Sequence, residues 1–278
     1  MSMTLSRANT VVALGSLDPE MYSIQTMLRG KGYRTAFAQR FRKRCVSGNA
    51  YLAENLSWAP GEHDQIVWVE CRSTSYQTGR DLIVDHHNEG DPGYSAPPSE
   101  YWEGSSIGQI ANMVGAKQAD YKFVAAGDHC LSAAMRGECA GINPKELMSW
   151  RISARAAMAR IQPWVLRRRI DRASERLQVL PRLNLGGTQV IDGSFEKTPE
   201  LRDAAALAGV PILTTRITPS GQLKVGLYGA EPDLVTDWLN SMRASGFVDH
   251  TYGNPFREFA GALLDLATSE RLITASRR

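Results

Sequence analysis

Cysteine is scarce and unpatterned in this chain. Its four cysteines, Cys45, Cys71, Cys130 and Cys139, form no C-x-x-C pair and no zinc-ribbon spacing, which argues against a structural zinc site and a disulfide scaffold. Four reduced thiols in a cytoplasmic protein are the expectation. Long apolar runs are missing as well. Nothing approaches the roughly 18 residues that a membrane span requires, so no membrane association is expected. Residues 1–7, MSMTLSR, lack the apolar stretch of a signal peptide. A strong excess of one charge is also absent: the net charge is +3, too small to argue for nucleic-acid binding by itself. The two basic clusters, Arg40, Arg42, Lys43 and Arg44 and then Arg167, Arg168 and Arg169, read as solvated faces. What remains is an ordinary globular composition, 43% hydrophobic and 22% charged over 278 residues, enough for one large domain or two modest ones.

Hydrophobic periodicity supplies the fold class. Residues 11–17 read as a buried strand, and Asp18-Pro19 then sets a helix start, with Asp18 as cap and Pro19 in the first turn. Met21, Ile24, Met27 and Leu28 continue at helical spacing. Strands follow at 33–38, 66–71 and 81–84, and helices begin near Ser105 and over 120–136. Alternating strands and helices predict an α/β protein whose sheet is mostly parallel, with helices flanking it. From Pro144 to Leu180 the pattern is helical and Arg-rich, broken at Pro163. Beyond Pro181, strands at 188–191, 210–215 and 223–228 alternate with helices at 200–207 and 232–243, a second, smaller α/β domain. The expected division is 8–145, a helical linker over 146–181, and 182–278.

Two of the five histidines fall together, in Asp85-His86-His87. This triplet ends the short strand 81–84, at the carboxyl edge where open α/β sheets bind ligands. Acidic residues end other strands that a parallel sheet would bring alongside: Asp18 and Glu20 after the first, Glu70 after the third, and Asp128-His129 farther on. Oxygen and nitrogen donors converging at one edge suit manganese or magnesium. Without a cation these carboxylates would raise one another's pKa values. Two blander readings stay open: Asp18 as a plain helix cap, and Glu70 as a solvated strand end.

The order of these motifs, over roughly residues 10–265, resembles the DHH phosphoesterase family. Leu82-Ile83-Val84-Asp85-His86-His87 matches the motif that names that family. Glu70 stands at its second motif, Leu17-Asp18-Pro19-Glu20 is similar to its first, and Asp128 matches its late aspartate. Ser105-Ser106 resembles the small-residue helix start that follows the Asp-His-His turn. Residues 253–262, GNPFREFAGA, look like a worn Gly-Gly-His-x-x-Ala-Ala-Gly motif, which contacts substrate. The chain departs from the pattern at Leu14, where the family has a histidine. It departs again at Glu20 and Glu70 in place of aspartates, and at Asn254-Pro255-Phe256 in place of Gly-Gly-His.

The resemblance implies a metal-binding catalytic domain followed by a substrate-binding domain. It implies one or two Mn2+ or Mg2+ ions that activate water against a phosphoester. Glu70 would bridge the ions, Asp18 would serve the first, and Glu20, His86 and Asp128 the second. Asp85 would orient His86, and His87 would face the substrate. His129 is a candidate to restore a missing ligand. Arg257 is the candidate phosphate clamp and His250 the candidate replacement imidazole, with Ser105 and Ser106 also on the substrate side. The implied function is a metal-dependent phosphohydrolase acting on a nucleotide or short oligonucleotide, compatible with a homodimer. The runner-up is a nucleotide- or cyclic-dinucleotide-binding protein of the same fold with weakened catalysis. An end-directed exonuclease using the two basic clusters ranks below both.

Overall fold

A computed structural model describes residues 5–218 and 220–276. The chain forms two compact units, Met1–His129 and Cys130–Arg278. Each unit is α/β, built on its own sheet.

In the first unit, β1 (Thr10–Leu14), β2 (Arg34–Arg40), β5 (Gln65–Val69) and β6 (Leu82–Val84) form a parallel core in the order β2-β1-β5-β6. Two short strands, β3 (Lys43–Arg44) and β4 (Asn55–Leu56), join the edge of β2 antiparallel to it. Every residue of β1 is buried, as a central parallel strand covered on both faces requires. The mostly parallel α/β sheet read from the sequence is therefore observed.

The first helix, α1 (Pro19–Gly30), starts where the sequence sets it. The Met21 amide donates to Asp18 Oδ1 at 2.7 Å, a cap that contributes about 1 kcal/mol. Met21, Ile24, Met27 and Leu28 are buried, each contributing about 1.5–3 kcal/mol by leaving water. Three further helices complete the unit: α2 (Tyr101–Gly104), α3 (Ser106–Val114) and α4 (Tyr121–His129). Helix α1 packs against α3 and α4.

The helix expected over 120–136 is two helices. The backbone turns out of helical geometry at Cys130 (φ −153°, ψ 59°) before α5 (Leu131–Met135). Asp128 and His129 thus lie at a helix end rather than mid-helix.

The second unit contains α5, α6 (Pro144–Ala159) and α7 (Pro163–Leu177), followed by β7 (Arg182–Leu185), β8 (Thr188–Gly193) and α8 (Leu201–Ala208). Next come β9 (Ile212–Ile217), β10 (Leu223–Tyr228), α9 (Pro232–Ala244), β11 (Val248–Asn254), β12 (Phe259–Leu264) and α10 (Leu266–Ala275). Its mixed sheet runs β11-β12-β10-β9-β8-β7, with only β8 and β9 parallel. The Arg-rich stretch read as a linker is packed into this unit: Ala173 and Leu177 of α7 share a core with Leu201, Ala204 and Ile212. The worn motif at 253–262 forms the end of β11, a tight turn and β12. Among the described residues, no helix is long and apolar enough to cross a membrane.

Candidate metal centre

The order β2-β1-β5-β6 reverses direction between β1 and β5. Chain connections leave on opposite sides there, and the carboxyl ends of the two strands frame a crevice. The Gly15 amide donates to the Val69 carbonyl at 3.0 Å just beyond both strands. Glu70 follows at once, with φ +50°, in the left-handed region that non-glycine residues seldom occupy. Its amide still donates to the Val84 carbonyl of β6 at 3.1 Å. A strained residue tied at a strand end is a feature of functional sites.

Glu20, Glu70, His86 and Asp128 meet at this crevice. One donor atom from each lies within 4.8 Å of the other three. Glu70, His86 and His87 satisfy the same criterion as a second, overlapping group. Residues from α1, the end of β5, the end of β6 and the end of α4 are thus brought to one point. This is the set that the resemblance assigned to the second ion.

Each member is held by the fold. The Ile107 amide, in the first turn of α3, donates to Glu20 Oε1 at 2.9 Å. Glu20 Oε2 is buried with no hydrogen-bond partner among the described residues, and Glu70 Oε1 is in the same position. An ionised carboxylate oxygen left so costs several kcal/mol unless a cation or donor meets it. Asp128 lies at the carboxyl end of α4, where the helix dipole also opposes a negative charge.

A chain of imidazoles fixes the fourth donor. His129 Nε2 lies 2.9 Å from the Ala96 carbonyl, which can only accept, so that nitrogen carries the proton. In the neutral ring His129 Nδ1 then accepts from His86 Nδ1, 2.9 Å away. His86 Nε2 is left presenting its lone pair, 3.2 Å from Asp128 Oδ2 and 3.4 Å from Glu70 Oε1. Between these groups a proton on Nε2 or a cation is required, since the two carboxylates and a bare Nε2 would all be acceptors. Gly104 makes the stack fit, since a Cβ there would lie 2.6 Å from the His129 ring.

The electrostatics agree. Burial, with Glu70 and Asp128 nearby, pushes Asp18 up to about 8. Glu20 rises well above the ordinary glutamate range, first through burial and then through Asp128 and Glu70. Burial would raise Glu70 too, but the His87 charge and the contact with His86 outweigh it and hold it low.

The remaining expected residues have different places. Asp18 caps α1 and is outside the four-donor group, although its charge is felt by Glu70 and Asp128. Asp85 engages His87 where the resemblance assigned it His86. Its Oδ1 accepts from the amides of His86 and His87 and from His87 Nδ1 at 2.8 Å, so it orients His87 instead. His129 supports His86 rather than joining the cluster, because its ring nitrogens face His86 and Ala96. Ser105 caps α3 by accepting from the Gly108 amide, and Ser106 is buried in the first turn beside the amide that holds Glu20. His250 and Arg257 belong to the second unit, on β11 and in the turn before β12, where the His250 ring stacks on Tyr252. Sequence reasoning missed Tyr51, whose hydroxyl donates to Asp85 Oδ2 at 2.9 Å. No local motif marks it.

The donor set, three carboxylate oxygens and one imidazole nitrogen, fits a hard divalent ion such as Mn2+ or Mg2+. Compared with known proteins, the chain matches no protein-family model, and no curated protein matches it.

Proposed function

We propose that the first unit is a divalent-metal-dependent phosphohydrolase of the DHH phosphoesterase type, acting on a nucleotide or short oligonucleotide. The observation that carries this reading is the buried meeting of Glu20, Glu70, His86 and Asp128, with Glu20 Oε2 and Glu70 Oε1 unsatisfied at the sheet's switch point. Those four residues would hold the ion. A divalent ion held there supplies a lowered pKa for water and charge neutralisation for phosphoryl oxygens.

The chain's own groups do the rest. His86 and His129 are buried, whereas the His87 side chain is 36% exposed and within reach of a substrate. Asp85 accepts from His87 Nδ1, which fixes the ring. His87 then stabilises charge on a phosphoryl oxygen and delivers a proton to the departing oxygen as water adds to phosphorus. Cys130 and Cys139 bring their sulfurs to 3.3 Å as a hydrogen-bonded pair of thiols, and a reducing, cytoplasmic setting is part of this proposal.

One observation favours the runner-up. Asp18 is committed to its helix cap, and Leu14 stands where the resemblance asks for an imidazole, so one four-donor group forms among the described residues. A single-ion site of this kind would bind a nucleotide with slow turnover.

The test is hydrolysis of bis(p-nitrophenyl) phosphate and of a dinucleotide, with Mn2+ and then with EDTA. Mn2+-dependent release that is lost in Glu70→Ala and His86→Ala supports the phosphohydrolase. Equal rates with EDTA, or unchanged rates in both variants, reject it. Nucleotide binding with no turnover moves the assignment to the runner-up.

A further inference from the structure

The basic cluster Arg40 to Arg44 forms the hairpin of β2 and β3. Its turn is Phe41-Arg42, at φ +50° and +59°, the left-handed pair that a two-residue hairpin requires. The hairpin carries β2 past the end of β1, since Leu14, the last residue of β1, is opposite Phe37. Arg44 is directly opposite Gln39, and Phe37 and Gln39 share a face of β2 by the strand period. The Arg44 side chain accordingly lies across Phe37, its guanidinium carbon 3.9 Å from the ring centre. Arg42 and Lys43 are exposed, as a solvated face requires, but Arg44 is half-buried.

From Phe37 the guanidinium reaches the crevice of the metal centre. Arg44 Nη2 donates to the Gly15 carbonyl at 3.4 Å. Gly15 is pressed against Glu70: a Cβ on it would lie 2.5 Å from the Glu70 carbonyl oxygen. Burial lowers the Arg44 pKa, and the charge of Asp18 opposes that shift. Other arginines of this unit are already paired. Arg34 meets Asp64, Arg40 meets Glu54, Arg72 meets Asp91 and Arg80 meets Asp81. Among the described residues Arg44 has no ion pair, and its Nε is buried without a hydrogen-bond partner. A guanidinium held by one ring and one carbonyl keeps most of its five donors free.

We infer that Arg44 binds a phosphoryl oxygen of the substrate beside the metal centre and stabilises the charge that grows there during hydrolysis. The inference rests on the phosphohydrolase reading of that site. Three carboxylates around one divalent ion leave no net positive charge, so an anionic substrate needs a further cation from the chain. A guanidinium meets phosphate oxygens in bidentate geometry, and one already laid on Phe37 loses little freedom in doing so. Arg44 itself forms and breaks no covalent bond.

Titration calorimetry of the full chain with saturating Mn2+ tests it, with phenylphosphonate as a non-hydrolysable probe, alongside kinetics with bis(p-nitrophenyl) phosphate. Arg44→Gln should weaken phenylphosphonate about tenfold. It should lower kcat about 100-fold with a smaller rise in KM, and leave Mn2+ affinity unchanged. Arg44→Lys should recover part of the loss, because an ammonium keeps the charge but not the fork. The exposed Arg42→Gln should behave as wild type. Unchanged phenylphosphonate affinity in folded Arg44→Gln overturns the inference, as does the absence of phenylphosphonate heat in wild type at millimolar concentration. Loss of Mn2+ affinity in both Arg44 variants also overturns it, because Arg44 would then support the ion and not the substrate. Where Arg44→Gln does not fold, Arg44→Lys decides, and wild-type affinity and kcat in it overturn the inference. A wild type that binds phenylphosphonate through Arg44 but hydrolyses nothing with Mn2+ rejects the phosphohydrolase reading while supporting phosphate binding at Arg44.

Discussion

The two units collect charge of opposite sign in the same manner. The first gathers Glu20, Glu70 and Asp128 at a buried strand edge. The second gathers Arg202, Arg216 and Lys224 around an open cavity. In both, the fold holds like charges at close quarters, although each group would be better solvated apart. Elsewhere the same chain neutralises such groups. Arg34 pairs with Asp64, and Arg136 with Glu138 and Glu258. We propose that a concentration of like charge of this kind marks the place of a counter-ion.

The largest expected effect separates the two clusters outright. Glu70→Ala should weaken Mn2+ binding by more than about 100-fold, measured by titration calorimetry, whereas Arg216→Gln should leave it unchanged. Parallel loss in both variants would mean that the two charge clusters are not separate.

A smaller effect is expected at the supporting imidazole. His129→Ala leaves all four proposed donors in place but frees the His86 ring, and Mn2+ affinity should fall about tenfold. A loss as large as that of Glu70→Ala would instead make His129 a ligand.

The pH dependence should differ between the units as well. In the metal-free protein Asp18 keeps its proton to about 8, whereas the ordinary value in an unfolded chain is 3.8. Between those values the folded state holds a proton that the unfolded state has released, so stability falls as pH rises through that window. Thermal unfolding in EDTA should therefore show a falling Tm from pH 5 to pH 8. Saturating Mn2+ should reduce the fall, because the ion replaces the proton.

The smallest effect concerns the cap. Asp18→Asn keeps the oxygen that accepts from Met21 but removes a charge facing Glu70 and Asp128. At pH 8 it should stabilise the metal-free protein, the direction that the raised Asp18 value sets, and Asp18→Ala should give back about 1 kcal/mol of that gain through the missing cap. Denaturant melts compare the three.

Local chemistry made part of this legible from the sequence. Asp18-Pro19 set the start of α1, and alternating strands and helices gave the parallel sheet of the first unit. Acidic residues at strand ends pointed to Glu20, Glu70 and Asp128 with His86, and the structure brings these four together. Ring orientation was not legible. Asp85 serves His87 because Tyr51, 34 residues away in the chain, holds its other oxygen. His129 serves His86 across 43 positions. The break at Cys130 was hidden because 120–136 has continuous helical periodicity. The cationic cavity left no sequence motif either, since Arg202, Arg216 and Lys224 come from separate elements that only the sheet register aligns.

The most direct test of the account is an anomalous difference map at the manganese edge, from crystals grown with saturating Mn2+. The account predicts a peak bounded by Glu20, Glu70, His86 and Asp128. A well-ordered map with those four side chains in place and no manganese among them would contradict it.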